Sequence, residues 1–181
     1  VIVYAALPEV TAKTTGSVAD LIKGVPTTVT LYEWTIKATG GTINATSNTT
    51  TLEWLKADAT ATTTVATSTL KLYKNGVLVS SGVTISANDL ASSTATSGTI
   101  VITVSGDALA VEKDQTVTFT LKGDVTATTG GFIRVWLKGD ATSTSYNFAW
   151  NDGVKTMISG YLVKGLPAAG TDYYQHTVLQ Q

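Results

Sequence analysis

The chain has 181 residues, only 14% of them charged, and a net charge of −1 at pH 7. This length buries a sizeable core without a metal or a disulfide, and low charge with positive mean hydropathy excludes a disordered chain. Because basic runs and cysteine are both absent, the sequence lacks the electrostatic footprint of a nucleic-acid-binding protein, and it has no disulfide, thiolate nucleophile or zinc–thiolate site.

The chain opens with an uncharged apolar run, Val-Ile-Val-Tyr-Ala-Ala-Leu, which is followed by Pro8. A membrane-spanning helix needs about 20 apolar residues, and a signal peptide carries a basic start and a cleavage site. The run fits neither, so we expect a β-strand that is buried in its own sheet or in a neighbour's. We divide the chain into an N-terminal apolar strand, residues 1–13, and a single β-sandwich domain, residues 14–181.

Alternation of apolar and polar residues, the signature of a half-buried strand, dominates the rest of the chain. The one predicted helix is Ser17–Lys23, ending at Gly24, and Asn75-Gly76 between apolar runs predicts a tight hairpin. Strands are expected at 29–37, 50–56, 68–74, 77–79, 99–105, 115–122, 132–138, 145–150, 160–164 and 173–179. About eight to ten short strands with little helix predict an all-β fold, an antiparallel β-sandwich of the Ig-like or jelly-roll type.

Residues that would form a catalytic site are hard to assemble. The chain has one histidine, His176, and no Gly-x-Ser-x-Gly element, so a Ser-His-Asp arrangement is not supported. The carboxylates are scattered, mostly in turn contexts, and no facing pair for glycoside hydrolysis is evident. We therefore predict no enzymatic activity, no catalytic residues, no cofactor and no metal. Calcium is the one metal alternative, at the loops 112–114 and 150–153, because it accepts Asp, Asn and carbonyl oxygens.

Two features would bring the chain into contact with carbohydrate. The sequons at Asn44 and Asn48 are candidate N-glycosylation sites, although a chain in which roughly one residue in five is threonine also makes sequons by chance. Aromatic residues line many sugar sites, but tryptophans in predicted strands more often pack in the core. The aromatic candidates are Trp34, Trp54, Trp136, Trp150 and Tyr161.

The C-terminal third carries a resemblance to a known group of proteins. Tyr146–Asp152 and then Ser-Gly-Tyr-Leu-Val-Lys-Gly-Leu-Pro at Ser159–Pro167 resemble the closing segment of predicted surface proteins of Patescibacteria, which reads Trp-Ser-Asp and later Asn-Gly-Tyr-Leu-Val-Lys-Gly-Leu-Pro. Asn151 stands where serine is usual, and Ser159 where asparagine is usual. The resemblance implies an exported β-sandwich of the cell surface or an appendage, and it supplies no catalytic residues. A looser likeness, carried by the opening run alone, is to threonine-rich pilins that donate an N-terminal strand.

The leading hypothesis is a structural subunit of an extracellular filament, pilus or other surface assembly. Its partner would be a second copy in a head-to-tail homopolymer, reached by β-strand addition. The residues that would leave their own domain are Val1, Ile2, Val3, Tyr4, Ala5, Ala6 and Leu7.

Two alternatives stay open. One is a surface-layer or adhesin domain that does not polymerise, and the other is a carbohydrate-binding domain with glycans as partners. We expect an extracellular protein with no membrane span, because the chain lacks an initiator Met and its Thr/Ser/Gly-rich, lysine-poor composition is typical of surface proteins.

Overall fold

The computed structural model describes residues 3–13, 21–56, 61–106, 110–166 and 176–179. Within these residues the chain forms thirteen β-strands and short 3-10 turns. The strands are β1 (Leu7–Ala12), β2 (Thr27–Thr39), β3 (Asn44–Lys56), β4 (Thr63–Val65), β5 (Lys71–Lys74), β6 (Val77–Leu78), β7 (Val83–Ala87), β8 (Ser97–Val104), β9 (Thr116–Ala127), β10 (Phe132–Leu137), β11 (Phe148–Asn151), β12 (Ile158–Ser159) and β13 (His176–Leu179).

Two antiparallel sheets pack face to face around one hydrophobic core. The first sheet has the order β1-β2-β9-β5-β6, and β4 also pairs with β9. The second is built on β3, which pairs with β11 and β10 along one edge and with β8 along the other. β12, β13 and β7 lie beyond β11, β10 and β8 respectively. The predicted antiparallel β-sandwich with little helix is confirmed.

The long strand β2 changes its buried parity at a β-bulge between Thr30 and Tyr32. Val29 and Leu31 are buried before the bulge. Because a bulge adds one residue to the strand, the following buried side chains fall on even positions. These are Tyr32, Trp34, Ile36 and Ala38. The first half of the strand therefore buries odd positions and the second half buries even ones.

One local prediction, a hairpin, is confirmed, and another, a late strand, is wrong. Asn75 and Gly76, with φ of 49° and 80°, connect β5 and β6 as the hairpin signal predicts. The late strand predicted at 160–164 is wrong, because Gly160–Leu162 form a 3-10 turn with Ser159 as its cap.

The ends of two other predictions are only partly described. The predicted helix falls mostly on residues 14–20, which lie outside the described residues, and 21–23 are irregular or turn backbone. Of the predicted strand 173–179, residues 176–179 form β13 and the remainder lies outside the described part of the chain.

Candidate functional site

The strand β1 forms one edge of the first sheet within the single chain. β1 pairs antiparallel with β2, from Leu7 opposite Thr39 to Ala12 opposite Trp34. Ala6 and Val10 are fully buried. Of the residues predicted to mediate assembly, Val1 and Ile2 lie outside the described residues, and donation of this segment to a neighbour stays a prediction.

The outer edge of β1 is covered by the segment Gly160–Leu166, which we call the clamp. The Val10 N–H donates to the Lys164 carbonyl oxygen over 2.9 Å, and the Lys164 Nζ lies 2.7 Å from the Glu9 Oε1. The hydrogen bond and the charge of Lys164 hold the pKa of the Glu9 carboxyl below its usual value. An ion pair this exposed adds little stability, so the backbone contact is what fixes β1 between β2 and the clamp.

Two glycines let the clamp approach its neighbours closely. A Cβ at Gly165, where φ is +88°, would overlap the carbonyl oxygen of Val10. A Cβ at Gly160 would lie 2.9 Å from the Phe148 carbonyl oxygen and 3.0 Å from the Asp140 Oδ2. The glycines of the Gly-Tyr-Leu-Val-Lys-Gly motif thus have a physical reason, because any larger residue would push the clamp away from its supports.

The carboxylate of Asp140 ties the start of the clamp to the preceding loop. Its Oδ1 accepts the Asn147 N–H over 2.7 Å, and its Oδ2 accepts the Gly160 N–H over 2.8 Å. The Phe148 N–H and the Ser159 hydroxyl also donate to Oδ2, at 3.4 and 3.3 Å. Asp140 is only 4% exposed, so these donors depend on this one side chain.

A second carboxylate, Asp152, holds the residues that precede β1. Its Oδ2 accepts the Ala5 N–H over 2.9 Å, and its Oδ1 accepts the N–H groups of Val154 and Lys155 over 2.9 and 2.6 Å. Next to this contact the Tyr4 ring lies 5.4 Å from the Trp150 ring, and the Lys155 Nζ lies over Tyr4. Burial alone would raise the pKa of Asp152, but the backbone N–H groups of Lys155, Ala5 and Val154 outweigh it and lower the pKa.

Acid is expected to loosen this attachment. A carboxyl whose pKa is depressed by folding contributes stability that is present above about pH 4 and is lost as the pH falls through the folded pKa. Glu9, whose pKa is also lowered, titrates in contact with Lys164 of the clamp. We expect the amide NMR resonance of Ala5 to move towards its random-coil position below pH 4.

The matched control is Asp152→Asn, which removes the ionisable group. In this variant the Ala5 resonance should already be displaced at pH 7 and show no further acid transition. An Ala5 resonance that does not respond to acid in the unmodified protein would contradict the assigned role of Asp152.

Beside the N-terminal segment lies an aromatic cleft of about 280 Å³. Its apolar lining includes Tyr4, Leu7, Tyr146, Trp150, Met157 and Tyr161. Several of these side chains are exposed, and Val3 and Val154, which adjoin the lining residues Tyr4 and Lys155 in sequence, are 83% and 81% exposed. Contiguous exposed apolar surface marks interaction sites in soluble proteins. We call Val3, Leu7, Tyr146, Val154, Met157 and Tyr161 the apolar patch.

The aromatic residues proposed from sequence as a sugar site are not brought together. Trp34 and Trp54 are buried in the core, and the half-buried Trp136 donates its indole N–H to Glu53 over 3.0 Å. Only Trp150 and Tyr161 line the cleft. The alternation that places tryptophans in strands explains their burial. For the other residues that line the cleft, the only indications in the sequence are the opening apolar run and the aromatic segment around Tyr146.

The remaining sequence candidates lie in the second sheet or in loops. Asn44 and Asn48 have their backbones in β3, Asn48 opposite Val104, and their glycosylation stays a prediction. His176 begins β13 opposite Val135.

Metal ligands are not clustered in the described part of the chain, which contains no group of three or more His, Cys, Asp or Glu side chains able to hold a metal ion. The loop 150–153 uses its aspartate for backbone N–H groups instead. No helix in the described ranges is long and apolar enough to cross a membrane.

Comparison with known proteins gives distant similarities in structure alone. No family model and no curated protein matches the chain, so the likeness to Patescibacteria surface proteins stays a prediction. The major pilin SpaA of Corynebacterium diphtheriae is 14% identical with a TM-score of 0.35, over 84% of this chain and 37% of the pilin. A type III cohesin module of the ScaE cell-surface anchoring scaffoldin of Ruminococcus flavefaciens is 14% identical with a TM-score of 0.37, over 98% of this chain and 88% of the module.

The chain therefore spans little more than a third of the pilin's length. Because both TM-scores are below 0.5, the function proposed next rests on the chain's own residues.

Proposed function

We propose that the protein is a non-enzymatic structural subunit of an extracellular surface assembly, and that copies are joined through the N-terminal segment Val1–Leu7. The observation that carries this proposal is the apolar patch. Of the ten exposed large hydrophobic side chains in the described part of the chain, two belong to this segment and four lie beside it. Full burial of an exposed side chain of this size contributes about 1.5–3 kcal/mol. Docking of a second copy on the apolar patch would therefore be favourable.

The chemistry of the segment favours strand addition over a flat contact. Val1, Ile2 and Val3 are β-branched and uncharged, and they precede by a few residues the strand β1, which begins at Leu7. β-branched residues favour extended backbone, and an extended segment gains both main-chain hydrogen bonds and apolar contacts when it joins a neighbour's sheet. A contact between two different surfaces is head-to-tail, and it propagates into a fibre or layer when the rotation between copies does not close a ring.

Deletion of residues 1–6 tests the proposal without removing β1. Because Leu7–Ala12 keep their pairing with β2, the truncated chain should fold, remain monomeric on size exclusion and form no assemblies in electron micrographs. The full chain should assemble. A truncated chain that assembles as readily as the full one would overturn the role of the segment. If neither form associates at any concentration, the protein is a surface domain that does not polymerise.

Point variants separate the segment's apolar character from its length. Val3→Asp places a charge at the tip of the patch and should abolish assembly. Ile22→Asp is the matched control, because Ile22 is 64% exposed and does not line the cleft. It should assemble as the unmodified protein does.

A carbohydrate ligand is the second candidate, and the aromatic cleft favours it. Tyr4, Tyr146 and Tyr161 offer ring faces for stacking beside the Ser143 and Ser159 hydroxyls. Binding of an oligosaccharide on a glycan array, lost on Tyr161→Ala, would support this function. No binding to any glycan on the array would leave assembly as the role of the cleft.

A further inference from the structure

We propose that the outer edge of β7, Val83–Ala87, is the surface that receives the N-terminal segment of a second copy. The inference rests on the proposed function and names the missing half of its contact. The occupant is the start of this segment, Val1–Val3 of the neighbouring chain, because Ala5–Leu7 keep their contacts with Asp152 and β2 in their own chain. Val3 is the first described residue and is 83% exposed.

β7 is an unprotected edge strand. It pairs with β8 from Val83 opposite Val104 to Ala87 opposite Ile100, and no described residue pairs with its other edge. Its sequence, Val-Thr-Ile-Ser-Ala, has no charge and no proline, and its register with β8 has no bulge. Edge strands usually carry a charge, a proline or a bulge, because these features block pairing with another chain. Since β7 has none of the three, it is open to an added strand.

Other edges in the described part of the chain are less suited. The outer edge of β1 is covered by the clamp, through the Val10 N–H and the Lys164 carbonyl. β6 and β12 have only two residues each, β4 has three and β13 has four, against five in β7. An incoming segment of several residues therefore finds its longest uncovered and uncharged ladder at β7.

The space beside β7 suits apolar side chains at alternate positions. A cleft of about 310 Å³ lies between β6 and β7, at the open side of the sandwich. Its lining is mixed, with Thr67, Ser68 and Lys71 beside the apolar side chains of Leu70, Leu72, Leu78, Val79, Val83 and Ile85. In a strand added to β7, every second side chain would point over this cleft. The uncharged opening run fits such a surface, because none of its side chains would need a partner for a buried charge.

The acceptor β7 and the cleft that contains Tyr4 lie at opposite edges of the second sheet, although β1 itself belongs to the first. One row of paired residues crosses β7, β8, β3, β11 and β12 at Thr84, Thr103, Thr49, Ala149 and Ser159. Ser159 also lines the cleft that contains Tyr4. Four strand spacings separate the ends of this row by about 19 Å. Addition of each copy's segment to the next copy's β7 would thus continue in one direction without closing.

Disulfide trapping tests the acceptor directly, because the chain has no native cysteine. Val3→Cys is combined in turn with Thr84→Cys and with Ser86→Cys, both exposed positions of β7. Under assembling conditions and mild oxidation, at least one of these pairs should give a ladder of covalent oligomers on a non-reducing gel. Each single variant should give no species larger than a dimer.

The comparison pair is Leu7→Cys with Thr39→Cys, which lie opposite each other in the β1–β2 ladder. If β1 stays in its own chain, this pair closes within the monomer. A ladder from this pair, with none from the β7 pairs, would show that donated strands replace β1, which overturns the β7 proposal and leaves the proposed function standing. Absence of assemblies from the unmodified protein would overturn both.

Ser86→Lys provides a test that needs no oxidation. An exposed lysine on an edge strand opposes pairing, so this variant should remain a folded monomer while Thr116→Lys, an exposed position of β9, assembles normally. Assembly of the Ser86→Lys protein to the extent of the control would overturn the proposal.

Discussion

Replacing Gly165 with alanine is expected to lower the free energy of unfolding by roughly 2–4 kcal/mol, because the variant combines a strained backbone with a clash between the new Cβ and a main-chain oxygen. Gly165 has a φ of +88°, and an added Cβ would overlap the Val10 carbonyl oxygen. A backbone oxygen cannot rotate away as a side chain does. The clamp must therefore move off β1, with loss of the hydrogen bond from the Val10 N–H to Lys164.

Gly76→Ala is the control that separates strain from contact. Gly76 has a similar φ of +80°, but a Cβ there would meet nothing within 4 Å. Its loss should be about 1 kcal/mol, the usual cost of placing alanine in left-handed backbone. Urea unfolding followed by tryptophan fluorescence gives both values. Equal losses in the two variants would show that the approach of the clamp to β1 adds nothing to stability.

Regular alternation is the part of the fold that the sequence predicts well. In β10 the apolar positions Ile133, Val135 and Leu137 are all buried, as their period-2 spacing requires. β2 is different, because nothing in its sequence marks the bulge at which the buried parity changes. Strands as short as β4 and β12, with three and two residues, show no clear period and were not predicted, which is one reason why the described residues form thirteen strands where about eight to ten were expected.

The clamp could not be predicted because distant residues determine its shape. Apolar residues in Gly160–Lys164 resemble a short strand, yet Ser159 caps a 3-10 turn there. The Asp140 carboxylate and the Val10 carbonyl, which require glycine at two positions, are far away in sequence. Local propensity contains no information about such contacts.

The candidate site was predicted in part. The apolar opening run predicted a strand, but of its described residues only Leu7 lies in one, β1 (Leu7–Ala12), while residues 3–6 have irregular backbone. Alternation does not say which strand lies alongside, so the pairing with β2 had no signal. Asp152 was noticed as a calcium-type residue, because an Asn-Asp-Gly turn offers the oxygens that calcium prefers. Its carboxylate instead accepts three backbone N–H groups, one of them from Ala5, 147 positions away.

Asp140→Ala is expected to destabilise the protein more than Gly165→Ala does, with a loss of roughly 3–5 kcal/mol, because removing a buried acceptor leaves each of its donors unsatisfied at about 1–3 kcal/mol apiece. The donors include the backbone N–H groups of Asn147 and Gly160, and Asp140 is only 4% exposed. Water therefore has little access to replace the carboxylate. The same urea unfolding measurement gives this value.

Glu112→Ala is the matched control, because Glu112 accepts one exposed hydrogen bond, from the Thr42 hydroxyl over 3.0 Å. Its loss should stay within about 0.5 kcal/mol, as for most surface substitutions. If Asp140→Ala lowers the free energy of unfolding by less than Gly76→Ala does, the central role of the Asp140 carboxylate is contradicted. Asp140 fixes Gly160 in place, and Gly165 contacts β1. The Asp140→Ala and Gly165→Ala proteins should therefore both become sensitive to protease cleavage within residues 1–12. The Glu112→Ala protein should resist cleavage there, since its clamp and β1 remain in place.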